Sequence, residues 1–425
     1  MTAPRPQRRA PSGPDGAGES GGTPGPGSRP KARRPRRALR TLALATASAA
    51  LAVLPAVPAQ ADGIRSQEWA LDSLGVEKAW RTTKGEDVTV AVLDTGVDDQ
   101  HPDLAGQVLT GKDLIGFGAG RGDRAWARHG TAMAGIIAGH GHGTGQEDGV
   151  VGVAPRVKIL PVRVILEDSD PARTRARGAR GNALADGIRW AADHGADVIN
   201  LSLGDDSKSA HPEPQEDAAV QYALSRGAVV VASAGNGGEK GERASYPAAY
   251  PGVIAVTAVD RYGNRAAFST RRWYATVAAP GVDVVIADPD RRYYKGWGTS
   301  AAAAFVSGAV ALVRSAHPEL TPVQIKKLLA DTARDRPEGG HSDDRGAGLV
   351  DVPAAIDAGE KLRPRPQHPD AAPYGRQYFG AGPDGDAGED PVTGLPAAAA
   401  GAVGALLLGA AVVLWRRGRT PAQPR

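Results

Sequence analysis

Five short runs of almost purely apolar residues, separated by segments of helical length, constrain the fold of this chain more than any other feature. The apolar runs span 87–94, 158–165, 196–203, 228–234 and 253–259. The segments with helical spacing span 129–138, 182–194, 216–226, 300–315 and 321–334. A strand that is apolar on both faces must be covered on both sides, and alternation with helices favours parallel pairing. The pattern therefore predicts an α/β protein whose parallel sheet carries helices on both faces.

Cysteine is absent from all 425 residues. Its absence excludes a disulfide scaffold, a thiolate zinc site, an iron–sulfur cluster and a cysteine nucleophile. Hydrophobic residues make up 41% of the chain and charged residues 23%. These proportions are enough for a sizeable buried core, so the chain as a whole is not disordered.

The net charge of +4 comes from the two ends of the chain. Residues 1–40 contain ten lysines and arginines against two acidic residues, and 416–425 contain four arginines without an acidic residue. The part between these ends therefore has a net charge of −8. A protein that binds a phosphate backbone needs basic charge on its folded domain, so we expect no nucleic-acid partner.

The N-terminal part has the composition of an export signal behind a long leader. Residues 1–40 consist mainly of Pro, Gly, Ser and Arg, and such a segment cannot bury enough surface to fold. An uncharged apolar run follows over 41–54, and Ala59-Gln-Ala61 precedes Asp62. The pattern predicts a disordered basic leader and signal peptide over 1–61, cleaved after Ala61. An uncleaved membrane anchor is the alternative.

The C-terminal part predicts a membrane span. Residues 395–415 contain no charge, end in Trp415 and are followed at once by three arginines. Their number matches the ~20 residues that cross a ~30 Å hydrocarbon core, and the arginines predict a cytoplasmic tail over 416–425. Residues 361–394 form a Pro- and Gly-rich linker. We therefore expect a single-pass type I protein of the cell membrane, with the folded domain over 62–360 outside the cytoplasm.

Four polar residues stand where chemistry gathers in a parallel sheet, near the carboxyl ends of strands or at the start of apolar helices. They are Asp94, His129, Asn236 and Ser300. A serine hydroxyl becomes a nucleophile when an imidazole takes its proton, and a carboxylate fixes the tautomer of that imidazole. An Asn amide and a backbone N–H at a helix start can stabilise the oxyanion that follows. Together these residues predict acyl transfer.

The chain resembles the subtilisin-like serine proteases, the subtilases, over about residues 66–357. The motifs that carry the resemblance are Asp94-Thr-Gly-Val, His129-Gly-Thr, Ser202-Leu-Gly, Ala-Gly-Asn236 and Gly-Thr-Ser300 in this order. The resemblance implies a subtilisin-like fold and a subtilase catalytic domain over 62–360. It assigns Asp94, His129 and Ser300 to a catalytic triad and Asn236 to the oxyanion site.

The same resemblance implies where substrate binds. Ser202, Leu203 and Gly204 correspond to an edge strand that pairs with the substrate backbone, a form of strand addition. Ser245 falls near the floor of the specificity pocket. We expect a protein or peptide substrate and neither a cofactor nor a metal.

The combination of signal peptide, subtilase core, Pro-rich linker and membrane helix is similar to that of the mycosins, membrane-anchored subtilases of type VII secretion. The similarity implies a membrane-tethered extracytoplasmic serine endopeptidase linked to a type VII secretion membrane complex. The alternative is a subtilase-fold scaffold that braces such a complex, with proteolysis secondary. A Ser300→Ala chain that still supports secretion would favour the scaffold.

Two glycine-rich segments and a histidine pair offer weaker interpretations. Residues 116–122 and 139–145 do not match the dinucleotide-binding pattern, so they do not predict a nucleotide site. His140 and His142 lack a third metal ligand nearby in the sequence, and we expect them in a solvated loop. Asp103 lies in a His-Pro-Asp-Leu motif that some subtilases have near calcium, but it does not by itself predict a metal.

A cluster of arginines precedes the helical segment that begins at 182. Its members are Arg173, Arg175, Arg177 and Arg180. We expect them in a solvated loop. If the loop borders the substrate, the alternative is a modest preference for acidic residues a few positions before the cleaved bond.

Overall fold

The five apolar runs form five adjacent parallel strands of one sheet, as predicted, in a computed structural model that describes residues 63–365. The strands are β1 Thr89–Asp94, β2 Lys112–Asp113, β3 His140–His142, β4 Asp148–Val151, β5 Lys158–Arg163, β6 Val198–Leu201, β7 Val229–Ser233, β8 Ile254–Val259, β9 Ala275–Pro280, β10 Val284–Ala287 and β11 Tyr293–Gly296. The main sheet has the order β2-β5-β1-β6-β7-β8-β9, and all its pairs are parallel. Two antiparallel pairs, β3 with β4 and β10 with β11, lie outside it.

Helices cover both faces of the sheet. They are α1 Trp69–Leu74, α2 Val76–Ala79, α3 Arg128–Ala138, α4 Arg173–Ala179, α5 Ala183–Asp193, α6 Pro214–Ser225, α7 Thr299–Ala316, α8 Pro322–Thr332 and α9 Val352–Gly359. The predicted helical segments correspond to α3, α5, α6, α7 and α8, with ends that differ by at most two residues. Because each parallel strand must return to the same edge of the sheet, helices of this kind supply the crossovers.

Alternate residues of the strands enter two separate hydrophobic cores. In β1, Val90 and Val92 pack with α3 and α7, whereas Ala91 and Leu93 pack with α5 and α6. A strand places successive side chains on opposite faces, so a continuous apolar run supplies both cores at once. The expected fold class, a parallel sheet with helices on both faces, is confirmed.

Helix α7 is the central helix of one core. It is long and apolar enough to cross a membrane, but 83% of its most apolar window is buried inside the protein. It therefore serves as a core helix. The predicted leader and signal peptide, the membrane helix over 395–415 and the tail over 416–425 lie outside the described residues, as does the linker beyond residue 365.

Candidate active site

The ends of two strands and the starts of two helices bring the four predicted catalytic residues to the carboxyl edge of the sheet. Asp94 is the last residue of β1 and is fully buried. His129 and Ser300 are the second residues of α3 and α7, and Asn236 follows β7 by three residues. Strand ends and helix starts meet at this edge in every parallel α/β sheet, which is why residues so distant in sequence become neighbours.

Asp94 and His129 are in direct contact. The Nδ1 atom of His129 lies 2.9 Å from Oδ1 and 2.8 Å from Oδ2 of Asp94, so the ring donates its Nδ1–H to the buried carboxylate. Gly130 permits this approach, because a Cβ at that position would collide with the carbonyl oxygen of Gly96. The contact leaves Nε2 as the nitrogen that can accept a proton.

The environment of His129 favours its protonated form. Burial by itself lowers the pKa of the imidazole, but the charge and hydrogen bond of Asp94 oppose this effect. The charges of Glu167 and Asp168 act in the same direction as Asp94, and the resulting pKa of His129 is about 9. An imidazole with this pKa holds a proton tightly once it has taken one.

The Ser300 hydroxyl donates a hydrogen bond to the main-chain oxygen of Ser202, 3.0 Å away. Buried side chains support this contact, since Ser202 Oγ lies 2.8 Å from the carbonyl oxygen of Ser300 and 3.0 Å from Nδ2 of Asn200. Ser307, about two turns after Ser300 in α7, donates a hydrogen bond to Asn200 Oδ1 at 3.0 Å. The network attaches the start of α7 to the end of β6.

Asn236 presents its side-chain amide to the space in front of Ser300. Its Oδ1 accepts hydrogen bonds from the backbone N–H and the hydroxyl of Thr299, at 3.0 and 3.1 Å. These bonds turn Nδ2 of Asn236 away from Thr299. A Cβ placed on Gly298 would lie 3.9 Å from Asn236 Nδ2 and 3.7 Å from the backbone nitrogen of Ser300. The side-chain N–H of Asn236 and the backbone N–H of Ser300 therefore border the position that a side chain at residue 298 would occupy. Gly298 leaves this position open, and its φ of +142° favours glycine.

The predicted substrate-binding residues lie beside this spot. Ser202, Leu203 and Gly204 follow the end of β6, and Gly204 makes no backbone hydrogen bond within residues 63–365. Strand β6 itself lies between β1 and β7, whereas these three residues come after its last residue, and their pairing with substrate stays a prediction. Parallel pairing has ended in this segment, and the carbonyl oxygens of Ser202 and Leu203 accept side-chain hydrogen bonds from Ser300 and Ser233.

Ser245 is buried between two glycines of neighbouring segments. A Cβ on Gly204 would lie 2.8 Å from Ser245 Oγ, and a Cβ on Gly235 would lie 3.1 Å from Ser245 Cβ. The Oγ atom has no hydrogen-bond partner among the residues that the structure describes. An unpaired hydroxyl in a buried position is unusual, and a ligand beside it would remove the cost of leaving it unpaired.

The arginine cluster was predicted to lie in a solvated loop, and Arg175, Arg177 and Arg180 are indeed exposed, but the prediction of a loop is wrong. Residues 173–179 form helix α4, and the guanidinium of Arg175 lies 4.0 Å from the ring centroid of Phe117. Arg180 lies over the same ring at 5.9 Å, and Arg173 pairs with Asp168 at 2.8 Å. Arginine stems cover apolar surface while their charges find partners, and this stabilises a short helix that sequence alone does not predict.

The same prediction is wrong for the histidine pair. His140 and His142 belong to β3, and both are half-buried. His142 Nδ1 lies 2.6 Å from Oδ1 of Asp103, and the other oxygen of Asp103 accepts hydrogen bonds from Val150 and Tyr293. Asp103 is fully buried, and these protein groups satisfy the hydrogen bonding of its carboxylate, as a buried charge requires. The His-Pro-Asp-Leu motif did not reveal this environment.

Sequence reasoning missed three residues that shape the site, namely Asn200, Thr299 and Glu167. The sequence could have pointed to Asn200, because a polar residue inside an apolar strand needs a buried hydrogen-bond partner. Thr299 orients Asn236, and it stands within the Gly-Thr-Ser300 motif. Glu167 lies 38 residues from His129 and accepts a hydrogen bond from its backbone nitrogen. No pattern in the sequence predicts that contact.

Comparisons with known proteins agree with this geometry. The chain is 38% identical to fervidolysin of Fervidobacterium pennivorans over 322 residues, which are 69% of this chain and 44% of fervidolysin. It is 39% identical to subtilisin DY of Bacillus licheniformis over 274 residues, which are 64% of this chain and 92% of that protein. The chain thus spans less than half the length of fervidolysin and most of the length of subtilisin DY.

Solved structures give the same result. The structure of MycP1 from Mycobacterium smegmatis superposes with a TM-score of 0.60 and 31% identity, and the match covers 76% of this chain and 91% of MycP1. MycP1, a mycosin, is described as part of the ESX-1 type VII secretion system. The model of the subtilase family matches residues 85–348, more than half of the chain. This chain is therefore a member of the subtilase family and is related to the mycosins.

Proposed function

We propose that this protein is a serine endopeptidase that hydrolyses peptide bonds through an acyl-enzyme on Ser300. The observation that carries the proposal is the placement of two N–H donors, Asn236 Nδ2 and the Ser300 backbone, around the open position at Gly298. Such a pair of donors stabilises the negative oxygen of a tetrahedral intermediate, which is the main electrostatic requirement of acyl transfer.

Asp94 and His129 supply the proton transfers in this proposal. The Asp94 carboxylate holds the imidazole by Nδ1, so Nε2 takes the proton of Ser300 as its Oγ attacks the substrate carbonyl. The imidazolium then gives this proton to the leaving amine, and a water molecule repeats the sequence on the ester. Rotation of the Ser300 side chain away from Ser202 is required first, since the hydroxyl donates to that carbonyl in the free protein. Catalytic hydrogen bonds often form only when substrate is bound.

The substrate backbone pairs with Ser202, Leu203 and Gly204 in this proposal. The backbone groups of Gly204 make no backbone hydrogen bond within the described part of the chain, and an extended peptide can satisfy them by strand addition. The side chain before the cleaved bond then lies beside Gly204 and Gly235, where the unpaired hydroxyl of Ser245 is buried. Both glycines permit their backbones to approach Ser245 closely, because a Cβ on either would come within 2.8 to 3.1 Å of its side chain.

Labelling with a serine-directed fluorophosphonate tests the catalytic assignment. We expect the wild-type protein to be labelled and the Ser300→Ala variant to remain unlabelled, with its fold intact by circular dichroism. Ser307→Ala is the matched control, because Ser307 is a buried serine of the same helix that lies outside the reacting group. Labelling that persists in Ser300→Ala and disappears in Ser307→Ala would refute the assignment.

We also propose that the catalytic domain is tethered on the outer side of the cell membrane and works with a type VII secretion complex. The uncharged run over 395–415 with its flanking arginines supports the tether. The similarity to MycP1 supports the link to secretion. We expect the full chain in the membrane fraction and a chain shortened before residue 395 in the soluble fraction. A full chain found in the soluble fraction would contradict the tether, and secretion supported by Ser300→Ala would favour a scaffold.

A further inference from the structure

The helix that carries His129 begins without a cap of its own. The residue before α3, Ala127, has a left-handed conformation with φ of +55° and no side chain that can accept a hydrogen bond. The backbone N–H of His129 donates instead to Oε1 of Glu167, 2.8 Å away. Glu167 lies in the segment that follows β5, so a separate part of the chain caps the helix at the histidine itself. The first N–H groups of a helix need such partners.

The segment that contains Glu167 is itself held in place by Arg173. The guanidinium of Arg173 lies 2.8 Å from Oδ1 of Asp168 and also donates to the carbonyl oxygen of Leu166. These two residues flank Glu167 on either side. Leu166 is buried in the second core, which fixes the backbone of the segment at one end. Glu167 is thus presented to α3 by a constrained backbone rather than by a free loop.

Three charged groups from two parts of the chain act on the imidazole of His129. They are Asp94 at the end of β1 and Glu167 and Asp168 after β5, and all three are acidic. Arg128, the neighbour of His129 on α3, is paired with Asp288 at 2.6 Å, which limits its opposing effect. Glu167 differs from Asp168 in one respect, because it alone of the two accepts a hydrogen bond from His129, whereas the side chain of Asp168 is 92% exposed.

We propose that Glu167 is a positioning residue for His129, which fixes the start of α3 through the histidine backbone while Asp94 fixes the ring. The inference rests on the proposed function of His129 as the general base. The start of α3 has two such backbone attachments, because Thr95 Oγ1 accepts a hydrogen bond from the backbone N–H of Gly130 while Glu167 accepts one from His129 itself. The attachment by Glu167 acts on the histidine directly and so helps to define where Nε2 lies. Misplacement of a catalytic group by a fraction of an ångström is enough to reduce the rate.

Four proteins separate the contact from the charge, each assayed as the full chain. They are the wild type, Glu167→Gln, Glu167→Ala and Asp168→Asn. Glu167→Gln keeps an oxygen that can accept the hydrogen bond of the His129 N–H but removes the charge. Glu167→Ala removes both the oxygen and the charge. Asp168→Asn removes a charge of the same sign one residue away and leaves Glu167 unchanged. The readout is the rate of fluorophosphonate labelling against pH, which yields a plateau at high pH and the midpoint of its acid limb.

We expect Glu167→Ala to lower the high-pH plateau about 3- to 30-fold and Glu167→Gln to restore most of that loss, because the hydrogen bond is regained. Both should move the midpoint to lower pH by about half a unit, since an anion that stabilises the imidazolium has gone. Asp168→Asn should keep the wild-type plateau and shift the midpoint less. A merely structural role for Glu167 would lower the melting temperature without separating Gln from Ala in this way.

The inference fails if Glu167→Ala and Asp168→Asn have the same plateau and the same midpoint. It also fails if Gln is no better than Ala. Should Glu167→Ala not fold, the comparison of Glu167→Gln with Asp168→Asn decides, because only the former is expected to shift the midpoint strongly. A wild-type protein that is not labelled at Ser300 would refute the proposed function itself, an outcome distinct from normal labelling in every Glu167 variant.

Discussion

Ser202 and Ser300 are joined by two reciprocal hydrogen bonds. The Ser300 hydroxyl donates to the main-chain oxygen of Ser202 at 3.0 Å, and the Ser202 hydroxyl donates to the main-chain oxygen of Ser300 at 2.8 Å. The first bond holds the proposed nucleophile in a resting position, and the second anchors the helix start that carries it. Because the backbone oxygen of Ser202 belongs to the segment proposed to bind substrate, substrate binding and release of the hydroxyl involve the same group.

Replacing Ser202 with Ala should destabilise the fold. The buried Ser202 hydroxyl bonds to Asn200 as well as to Ser300, and its loss leaves these buried groups without a partner. We expect the free energy of unfolding to fall by about 1–3 kcal/mol. Urea unfolding followed by fluorescence measures the change, with Ser207→Ala as the exposed control. Equal midpoints for the two variants would show that the network adds no stability.

Replacing Asn236 with Ala should lower kcat about 10²–10³-fold with little change in KM, as expected when one oxyanion donor is removed. Nδ2 of Asn236 acts on charge that exists only in the transition state, so ground-state binding is unaffected. Steady-state kinetics on a peptide substrate measures both constants. Thr299→Val is the matched variant, because it removes the hydroxyl that orients Asn236 and should have a smaller effect. A loss that came only from KM would mean that Asn236 binds substrate.

The activity should rise with pH to an unusually alkaline value. Since His129 works as a base only when neutral and its pKa is raised to about 9, the active fraction increases as pH rises towards 9. Below that value kcat/KM should fall about tenfold per pH unit. A profile of kcat/KM between pH 5 and 11 measures the midpoint. A midpoint near the ordinary imidazole value of ~6.5 would contradict the electrostatic account of Asp94, Glu167 and Asp168.

Replacing Ser245 with Val should change specificity more than catalysis. The Ser245 side chain packs closely against Gly204 and Gly235, so the larger Val would press on the segment proposed to bind substrate and exclude large side chains. We expect the ratio of kcat/KM for a Phe peptide over an Ala peptide to fall about tenfold or more. A peptide series that varies only this residue measures the ratio, with the exposed Ser209→Val as control. An equal loss for both peptides would place Ser245 outside the pocket.

Several features of this protein are determined by local sequence. The five apolar runs became adjacent parallel strands, because β-branched and small apolar residues on both faces suit only a doubly covered sheet. The placement of Asp94 at a strand end and of His129 and Ser300 at helix starts was predicted from the sequence, and the structure has them there. The edge strand β9 escaped prediction, since Ala275–Pro280 contains Ala and Pro and only two β-branched residues.

Tertiary structure alone decided the contacts between segments distant in sequence. Glu167 and His129 meet because β5 ends and α3 begins at the same edge of the sheet, and Ser202 meets Ser300 because α7 packs on β6. Arg175 lies in a helix and its guanidinium stacks on the ring of Phe117, which Arg180 also approaches from just beyond the helix end. Propensity and periodicity describe neighbours along the chain, whereas the partner of a polar side chain is chosen by burial, which requires the whole core to be assembled.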